Sequence, residues 1–245
     1  MALLYSCSVQ GSYHGVNQDA SLLWQQSDLC VLAVADGLGS RPRSADGAQA
    51  LCAAVREMAE HEAFLWDDMM ATAARIHDGW LWQLRERQVV PRDAYTTCLV
   101  AVLRDQQVYV LRLGDGFVGL RADGVTHLSF DVKEDRFFNE TDCLTEVFQP
   151  ACWSVATWPC ATLDGLVLCT DGVDIFCEGC SQQESYARFT ESFVAAYAGR
   201  SREVLATEVP VWLRDWRSAD DRTIACLLRE GCREENEKTE GRLGR

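Results

Sequence analysis

Aspartates in short Asn-Gln-Asp, Asp-Gly and Asp-Asp signatures are the residues of this chain best suited to chemistry. They are spread along its whole length, each set against an apolar run, at Asp19, Asp36, Asp115, Asp171 and Asp220. Carboxylate oxygens are hard ligands, and several that converge from distant parts of a chain form a site for Mg²⁺ or Mn²⁺. Taken singly, Asp-Gly is a common turn dipeptide and Asp-Asp is an ordinary surface pair.

Hydrophobic patterning predicts the elements that must position these aspartates. Short apolar runs predict strands at 29–35, 95–103, 107–113, 117–120, 163–169 and 222–228. The strands at 95–103, 107–113 and 117–120 are joined by tight polar connections, which predicts an antiparallel meander. Three- and four-residue spacings predict one helix capped by Ser44, a second with apolar residues from Leu65 to Leu84, and two more at about 183–198 and 201–215. Residues from roughly 121 to 163 have no clear periodicity. This order predicts an α/β protein with mainly antiparallel pairing.

Composition restricts the classes of function. A chain of 245 residues with 48% hydrophobic and 24% charged residues fits one globular domain, which we place at 1–232. Residues 233–245 are charged and lack aromatics, which is typical of a disordered tail. The formal net charge of −14 argues against nucleic-acid or anionic-membrane partners. It leaves phosphorylated substrates open, because bound cations reverse the local charge.

Cysteine usage indicates a reducing compartment. Most of the twelve cysteines lie inside apolar runs, and neither a secretory signal nor a run long enough to span a membrane is evident. We therefore expect a cytoplasmic protein with reduced thiols. Cys177-Glu178-Gly179-Cys180 has CxxC spacing, but no second pair accompanies it to complete a zinc site. The sequence favours two incidental thiols there and leaves their role open.

The acidic signatures, taken in order and with their flanks, resemble one family: the type 2C metal-dependent protein serine/threonine phosphatases, in their bacterial branch. The resemblance spans roughly residues 6–229. It rests above all on Asp36-Gly37-Leu38-Gly39-Ser40, followed by Ser44-Ala45-Asp46-Gly47-Ala48. The other matching segments are Gln18-Asp19-Ala20, Thr96-Thr97, Gly114-Asp115-Gly116, Asn139-Glu140-Thr141, Thr170-Asp171-Gly172 and Asp220-Asp221-Arg222-Thr223.

The resemblance implies a fold and a set of ligands. The fold would be an α-β-β-α sandwich of two mainly antiparallel sheets flanked by helices, with the metal site in the cleft at one end. Asp36 would bridge two core cations, Mn²⁺ or Mg²⁺, and the Gly37 carbonyl would bind one of them. The other ligands implied are Asp171 and Asp220 on the second cation, Asp19 in the outer shell, and Asp115 on a possible third cation.

The implied reaction is hydrolysis of phosphoserine or phosphothreonine in a phosphorylated protein, the product of a partner serine/threonine kinase. In such a site two cations lower the pKa of a shared water, orient it for in-line attack and neutralise the phosphoryl oxygens. Catalysis would therefore depend on Asp36, Asp171 and Asp220 through the water that the metals bind. No covalent phosphoenzyme is required.

Two positions depart from the family pattern. His14 stands where many relatives have the arginine that holds the phosphate, so His14, Arg41 and Arg43 are the phosphate-binding candidates. Each could instead be structural: His14 packed at a strand end, and the arginines in a solvated loop. Ile175 replaces an aspartate beyond Asp171, with Asp174 one step earlier. The alternative functions are a non-catalytic module that binds a phosphorylated partner and a phosphohydrolase for small molecules.

Overall fold

The computed structural model describes residues 2–132 and 141–231. The four helices described there are α1 (Ser44–Glu60), α2 (Met69–Glu86), α3 (Gln182–Tyr197) and α4 (Arg202–Asp215). The ten strands described there are β1 (Ala2–Val9), β2 (Asp19–Gln26), β3 (Leu29–Asp36), β4 (Cys98–Arg104), β5 (Gln107–Leu113), β6 (Phe117–Ala122), β7 (Val125–Ser129), β8 (Ser154–Pro159), β9 (Leu163–Cys169) and β10 (Arg222–Arg229).

The strands form two five-stranded sheets. The first sheet has the order β1-β10-β9-β6-β7, and the second has the order β2-β3-β4-β5-β8. Every strand pairing in both sheets is antiparallel. The architecture confirms the expected sandwich of two antiparallel sheets with helices outside.

Three apolar layers hold this sandwich together. The middle layer lies between the sheets and includes Leu32, Leu99 and Leu168. One outer layer joins the second sheet to α1 and α2, around Trp80, and the other joins the first sheet to α3 and α4, around Phe193. Burial of apolar surface on both faces of each sheet is the main stabilising contribution to such a fold.

Strand β3 shows how the sequence specifies this layering. Successive side chains of a strand point to opposite faces, so a strand covered on both faces is a continuous apolar run. In β3, Val31 and Ala33 contact the helix layer, whereas Leu32 and Val34 enter the layer between the sheets. The run from 29 to 35 is buried throughout and ends at Asp36, which is partly exposed. The strand therefore delivers an aspartate to one end of the sandwich.

The prediction that three consecutive strands form a meander is wrong for the third strand. β4 and β5 do form a hairpin, but β6 belongs to the other sheet. The chain crosses between the sheets through Gly114-Asp115-Gly116. Gly114 has a φ of +110°, and a Cβ on Gly116 would lie 2.5 Å from the Cys169 carbonyl oxygen. Both features require glycine, and they turn a hairpin-like pattern into a crossover.

Other local expectations need correction. The segment without periodicity contains β7 and β8, each at an edge of its sheet, where weak burial leaves a weak pattern. Ser44 is the first residue of α1 and not its cap, because the preceding residue, Arg43, holds the cap position without a side-chain bond. α2 begins only at Met69, where the Asp68 side chain accepts a hydrogen bond from the Ala71 N–H at 2.9 Å. The two C-terminal helices and the strand at 163–169 are confirmed.

Some expectations lie outside the described residues or stay untested. Asn139 and Glu140 and the charged tail at 233–245 fall outside the described ranges, and the domain boundary at 232 stays a prediction. Within the described ranges, none of the helices is both long and apolar enough to cross a membrane.

Candidate metal centre

Asp19 and Asp36 are placed opposite each other by strand register. Asp19 is the first residue of β2, Asp36 is the last of β3, and the two are direct partners in the antiparallel pairing. Directly opposed residues have Cβ atoms roughly 5 Å apart and point to the same face. The hairpin therefore presents two carboxylates side by side at one end of the second sheet.

The backbone of Asp36 is held by the segment that leads into β4. The Thr97 hydroxyl accepts a hydrogen bond from the Asp36 N–H at 2.9 Å. The Asp36 carbonyl accepts from the Thr96 hydroxyl at 2.9 Å and from the Thr97 N–H at 2.8 Å. Both threonines thus bond the main chain of Asp36 and leave its carboxylate available to the site.

Gly37 is fixed by close packing against the start of α1. A Cβ at this position would lie 2.6 Å from the carbonyl of Ser44 and 2.8 Å from the carbonyl oxygen of Gln18. Neither backbone atom has room for a side chain, so any other residue at 37 would displace the turn that follows Asp36. The sequence suggested that glycine serves the approach of a cation, and the packing supplies a second reason.

Asp171 and Asp220 approach the same pair from the first sheet. Asp171 lies two residues after β9, and Asp220 lies two residues before β10, the strand beside β9. The Thr170 hydroxyl donates a hydrogen bond to Oδ2 of Asp19 at 2.9 Å and so joins the two sheets at this end. The structure thereby brings together four of the five sequence-predicted aspartates.

The electrostatics of the cluster favour a cation. Burial, followed by the negative charges of Asp19, Asp171 and Asp220, raises the pKa of Asp36 well above its usual range. Burial likewise raises the pKa of Asp19 to about 7, although hydrogen bonds from Thr223 and Thr170 act in the opposite direction. Carboxylates that resist ionisation together need either a proton or a metal ion.

A polar atom without a partner marks the same point. Oδ1 of Asp19 is buried and has no hydrogen-bond partner, and the neighbouring side chain of Asp36 is another carboxylate. A buried oxygen of this kind is costly unless something binds it, and a divalent cation or a water that the cation holds can do so. The donor set therefore fits Mg²⁺ or Mn²⁺. Across residues 2–132 and 141–231, however, no three His, Cys, Asp or Glu side chains are already grouped closely enough to hold a metal.

Asp115 lies on the crossover between the two sheets. Its Oδ2 accepts a hydrogen bond from the Thr141 hydroxyl at 2.8 Å. On one side of it, Gly114 packs against Thr97, which bonds the main chain of Asp36, and on the other, Gly116 packs against the Cys169 carbonyl, two residues before Asp171. The crossover therefore meets the same end of the sandwich as the other aspartates.

The three phosphate-binding candidates differ in what they contact. Nε2 of His14 lies 2.5 Å from where a Cβ on Gly39 would be, so the ring packs against the turn that follows Asp36. The Arg41 guanidinium lies 4.3 Å from the centroid of the Tyr95 ring, and its buried Nε has no hydrogen-bond acceptor. Arg43 is paired with Asp46 at 2.6 Å and is half exposed. His14 and Arg41 therefore remain available to a ligand, and Arg43 is occupied.

Asp221 is the functional neighbour that sequence reasoning missed. It is only 2% exposed, and its two carboxylate oxygens accept from the Gly11 N–H at 2.7 Å and from the Gln18 N–H at 2.6 Å. It thereby closes the loop that carries His14. The doublet of aspartates before β10 was the available signal, but sequence alone does not say which member faces the site and which faces the loop.

The main chain of Asp174 is fixed by a distant tryptophan. Its carbonyl accepts a hydrogen bond from the Trp216 indole at 3.0 Å. This bond connects the segment after Asp171 to the one before Asp220.

Comparison with known proteins agrees with this geometry. Residues 11–216 match the family model of protein phosphatase 2C. The serine/threonine phosphatase Stp1 from Staphylococcus aureus is 14% identical with a TM-score of 0.68, over 94% of this chain and 96% of that one. PppA, a regulatory component of the type VI secretion system in Pseudomonas aeruginosa, is 18% identical with a TM-score of 0.59, over 93% and 97% of the two chains.

A third solved structure, RsbX in complex with magnesium, is 16% identical with a TM-score of 0.59, over 92% of this chain and 94% of that one. No curated protein matches the sequence significantly. Identities this low show a shared fold, whereas the family model spans most of the chain. The chain belongs to the protein phosphatase 2C family.

Proposed function

We propose that the acidic cluster binds Mg²⁺ or Mn²⁺ and that the chain uses them to hydrolyse phosphoserine and phosphothreonine in proteins. The family is one of metal-dependent phosphatases, and the magnesium complex of RsbX shows a similar fold with one of these ions. The observation that carries the proposal is the buried Oδ1 of Asp19, which lacks a donor inside a cluster of four carboxylates.

Each residue has a distinct proposed part. The charges of Asp19, Asp171 and Asp220 all act on Asp36, so its carboxylate is the one suited to contact two cations. The Gly37 carbonyl, Asp171 and Asp220 complete the two core sites, and Asp19 acts through the outer shell. When bound, divalent cations lower the pKa of water and offset the charge of phosphoryl oxygens. Asp115 is proposed to serve a third, weaker cation.

The substrate phosphate is proposed to contact His14 or Arg41. Both side chains border the turn that follows Asp36, and neither is occupied by an ion pair in the way that Arg43 is. The Arg41 guanidinium lies over the Tyr95 ring, a contact that restricts its position. His14 would contribute a positive charge only when it is protonated.

Phosphate release by the purified full chain tests the proposal. We expect release from p-nitrophenyl phosphate and from a phosphothreonine peptide only with Mn²⁺ or Mg²⁺, and none in excess EDTA. Asp28→Asn is the matched control, because Asp28 lies in the turn at the far end of the same β2–β3 hairpin. Turnover that persists without a divalent ion would disprove the metal mechanism.

The same assay separates the alternatives. His14 in place of an arginine is the feature that favours a non-catalytic module, and such a module would bind the phosphopeptide in saturating Mn²⁺ without releasing phosphate. Activity on small phosphate esters alone would identify a small-molecule phosphohydrolase. A kinase that produces the phosphorylated substrate, and a cytoplasmic location, stay predictions from the sequence.

A further inference from the structure

Cys177 and Cys180 form a thiol pair on the segment between Asp171 and helix α3. The Cys180 thiol donates a hydrogen bond to Sγ of Cys177 at 2.9 Å, and both side chains are partly exposed. Many other cysteines of the chain, such as Cys98 and Cys169, are buried in the apolar layers. Contact between two accessible sulfur atoms distinguishes this pair from thiols that only fill a core.

The backbone already has the geometry of a bridged pair. The Cys180 N–H donates to the Cys177 carbonyl at 3.1 Å, which closes a four-residue turn. Gly179 in this turn has a φ of +76°. Such a turn keeps its first and last Cα atoms within about 7 Å, and a disulfide joins Cα atoms about 4.4–6.8 Å apart. The two sulfurs can therefore be joined without unfolding the segment.

The two thiols are not equivalent. Nη1 of Arg188 lies 3.5 Å from Sγ of Cys177, which also accepts the hydrogen bond from Cys180, so this sulfur has two donors and a positive charge beside it. The remaining contact of Cys177 is long, 3.9 Å to the Glu178 carbonyl. The hydrogen bond to Cys177 raises the pKa of Cys180. Cys177 is thus placed to attack first and Cys180 to resolve.

We propose that Cys177 and Cys180 are a thiol–disulfide exchange site that reacts with small disulfides of the glutathione class. The Cys177 thiolate attacks one sulfur of the small disulfide, forms a mixed disulfide and releases one small thiolate. The Cys180 thiol then attacks Sγ of Cys177, releases the second small thiolate and passes its proton to it. The cysteine pair is oxidised by two electrons, and one small disulfide is reduced to two thiols.

Peptide mapping of the full chain after exposure to glutathione disulfide tests this proposal. In the wild type we expect a Cys177–Cys180 disulfide, lighter by the mass of two hydrogen atoms and reversed by dithiothreitol. In Cys180→Ser we expect glutathione to remain on Cys177, and in Cys177→Ser we expect Cys180 to react roughly tenfold more slowly. Arg188→Ala should slow the wild-type reaction about threefold or more.

Two further variants control the geometry. Cys152→Ser removes another partly exposed thiol and should leave the Cys177–Cys180 disulfide unchanged. Gly179→Val keeps both thiols but opposes the positive φ of the turn, so the mixed disulfide should accumulate in place of the bridge. Absence of the linked peptide in the wild type, or equal reactivity of Cys177 and Cys180 in the single variants, would overturn the proposal.

Discussion

The aspartates of the candidate metal centre lie in two different environments. Asp19 and Asp36 are strand residues of the second sheet, opposed by register and partly buried. Asp171 and Asp220 lie in turns beside the first sheet, and Asp171 is exposed. The cost of ionisation therefore differs among these aspartates. Burial is the largest contribution to the raised pKa of Asp19 and Asp36, whereas water screens the charge of the exposed Asp171.

This contrast shows which half of the site is positioned before a ligand binds. Register and the hydrogen bonds from Thr96 and Thr97 fix the strand pair before any ligand arrives. The turn pair adds its charge from loops, and the described carboxylates do not yet form a closed metal-binding group. Substitutions in the two halves should accordingly differ in their effects on activity and on metal-free stability.

The largest expected effect is that of Asp36→Asn. Loss of the carboxylate shared by both proposed cations should lower turnover at least about 1,000-fold, equivalent to about 4 kcal/mol in the barrier. The same change removes repulsion with Asp19, Asp171 and Asp220, so the metal-free protein should melt at a higher temperature. Turnover with Mn²⁺ and melting in EDTA give both readouts. Near wild-type turnover would show that Asp36 is not the bridging ligand.

Substitutions in the turn pair should be milder and depend on metal concentration. Asp171→Asn or Asp220→Asn should each weaken one cation and lower turnover roughly 100-fold at low Mn²⁺, with partial recovery at high Mn²⁺. The melting temperature of Asp171→Asn in EDTA should change less than that of Asp36→Asn, because Asp171 is exposed and water screens its charge. A Mn²⁺ titration of activity checks this expectation. A loss that no concentration of Mn²⁺ restores would argue that these residues act otherwise than as ligands.

Asp221→Asn should lower the stability of the metal-free protein, whereas Asp36→Asn should raise it. Both of its oxygens accept from backbone N–H groups, and an amide can replace only one of them, so the free energy of unfolding should fall by about 1–3 kcal/mol. Urea unfolding in EDTA, beside Asp36→Asn, measures the difference. If Asp221→Asn were instead more stable than the wild type, this residue would belong with the ligands and not with the loop.

A further expected effect is a pH dependence of the metal-free protein. The pKa of Asp19 is about 7 when folded and near its ordinary value of about 4 when unfolded. The folded state therefore binds the proton more tightly, and this contribution to stability, complete below pH 4, is lost as pH rises through 7. Urea unfolding in EDTA at pH 5 and pH 7.5 should show the decline. Asp19→Asn should reduce it, and an unchanged slope in that variant would exclude Asp19 as its source.

The aspartates were easier to recognise in the sequence than the residues that support them. Each follows or precedes an apolar run whose burial fixes its place, as β3 does for Asp36. The structure places Asp19, Asp36, Asp171 and Asp220 near one another, and their roles as ligands stay a prediction. The assignment of Asp115 to a third cation also stays a prediction.

The features that could not be predicted from the sequence depend on contacts between residues that are distant in the chain. Asp221 bonds Gly11, more than 200 positions away, and nothing local distinguishes it from Asp220. The transfer of β6 to the other sheet depends on close contacts of Gly114 and Gly116 that no periodicity encodes. Edge strands such as β8 bury few side chains, so their alternation is too weak to detect.

The ligand candidates come from both halves of the sandwich, and this has a mechanical consequence. Asp19 and Asp36 belong to one sheet, and Asp171 and Asp220 flank strands of the other. A cation held by both sets would act as a cross-link between two layers whose contact at their middle is mainly apolar. Pulling the sheets apart would then require breaking coordination bonds at this end first, so loading with metal would raise the force and slow the rate of separation.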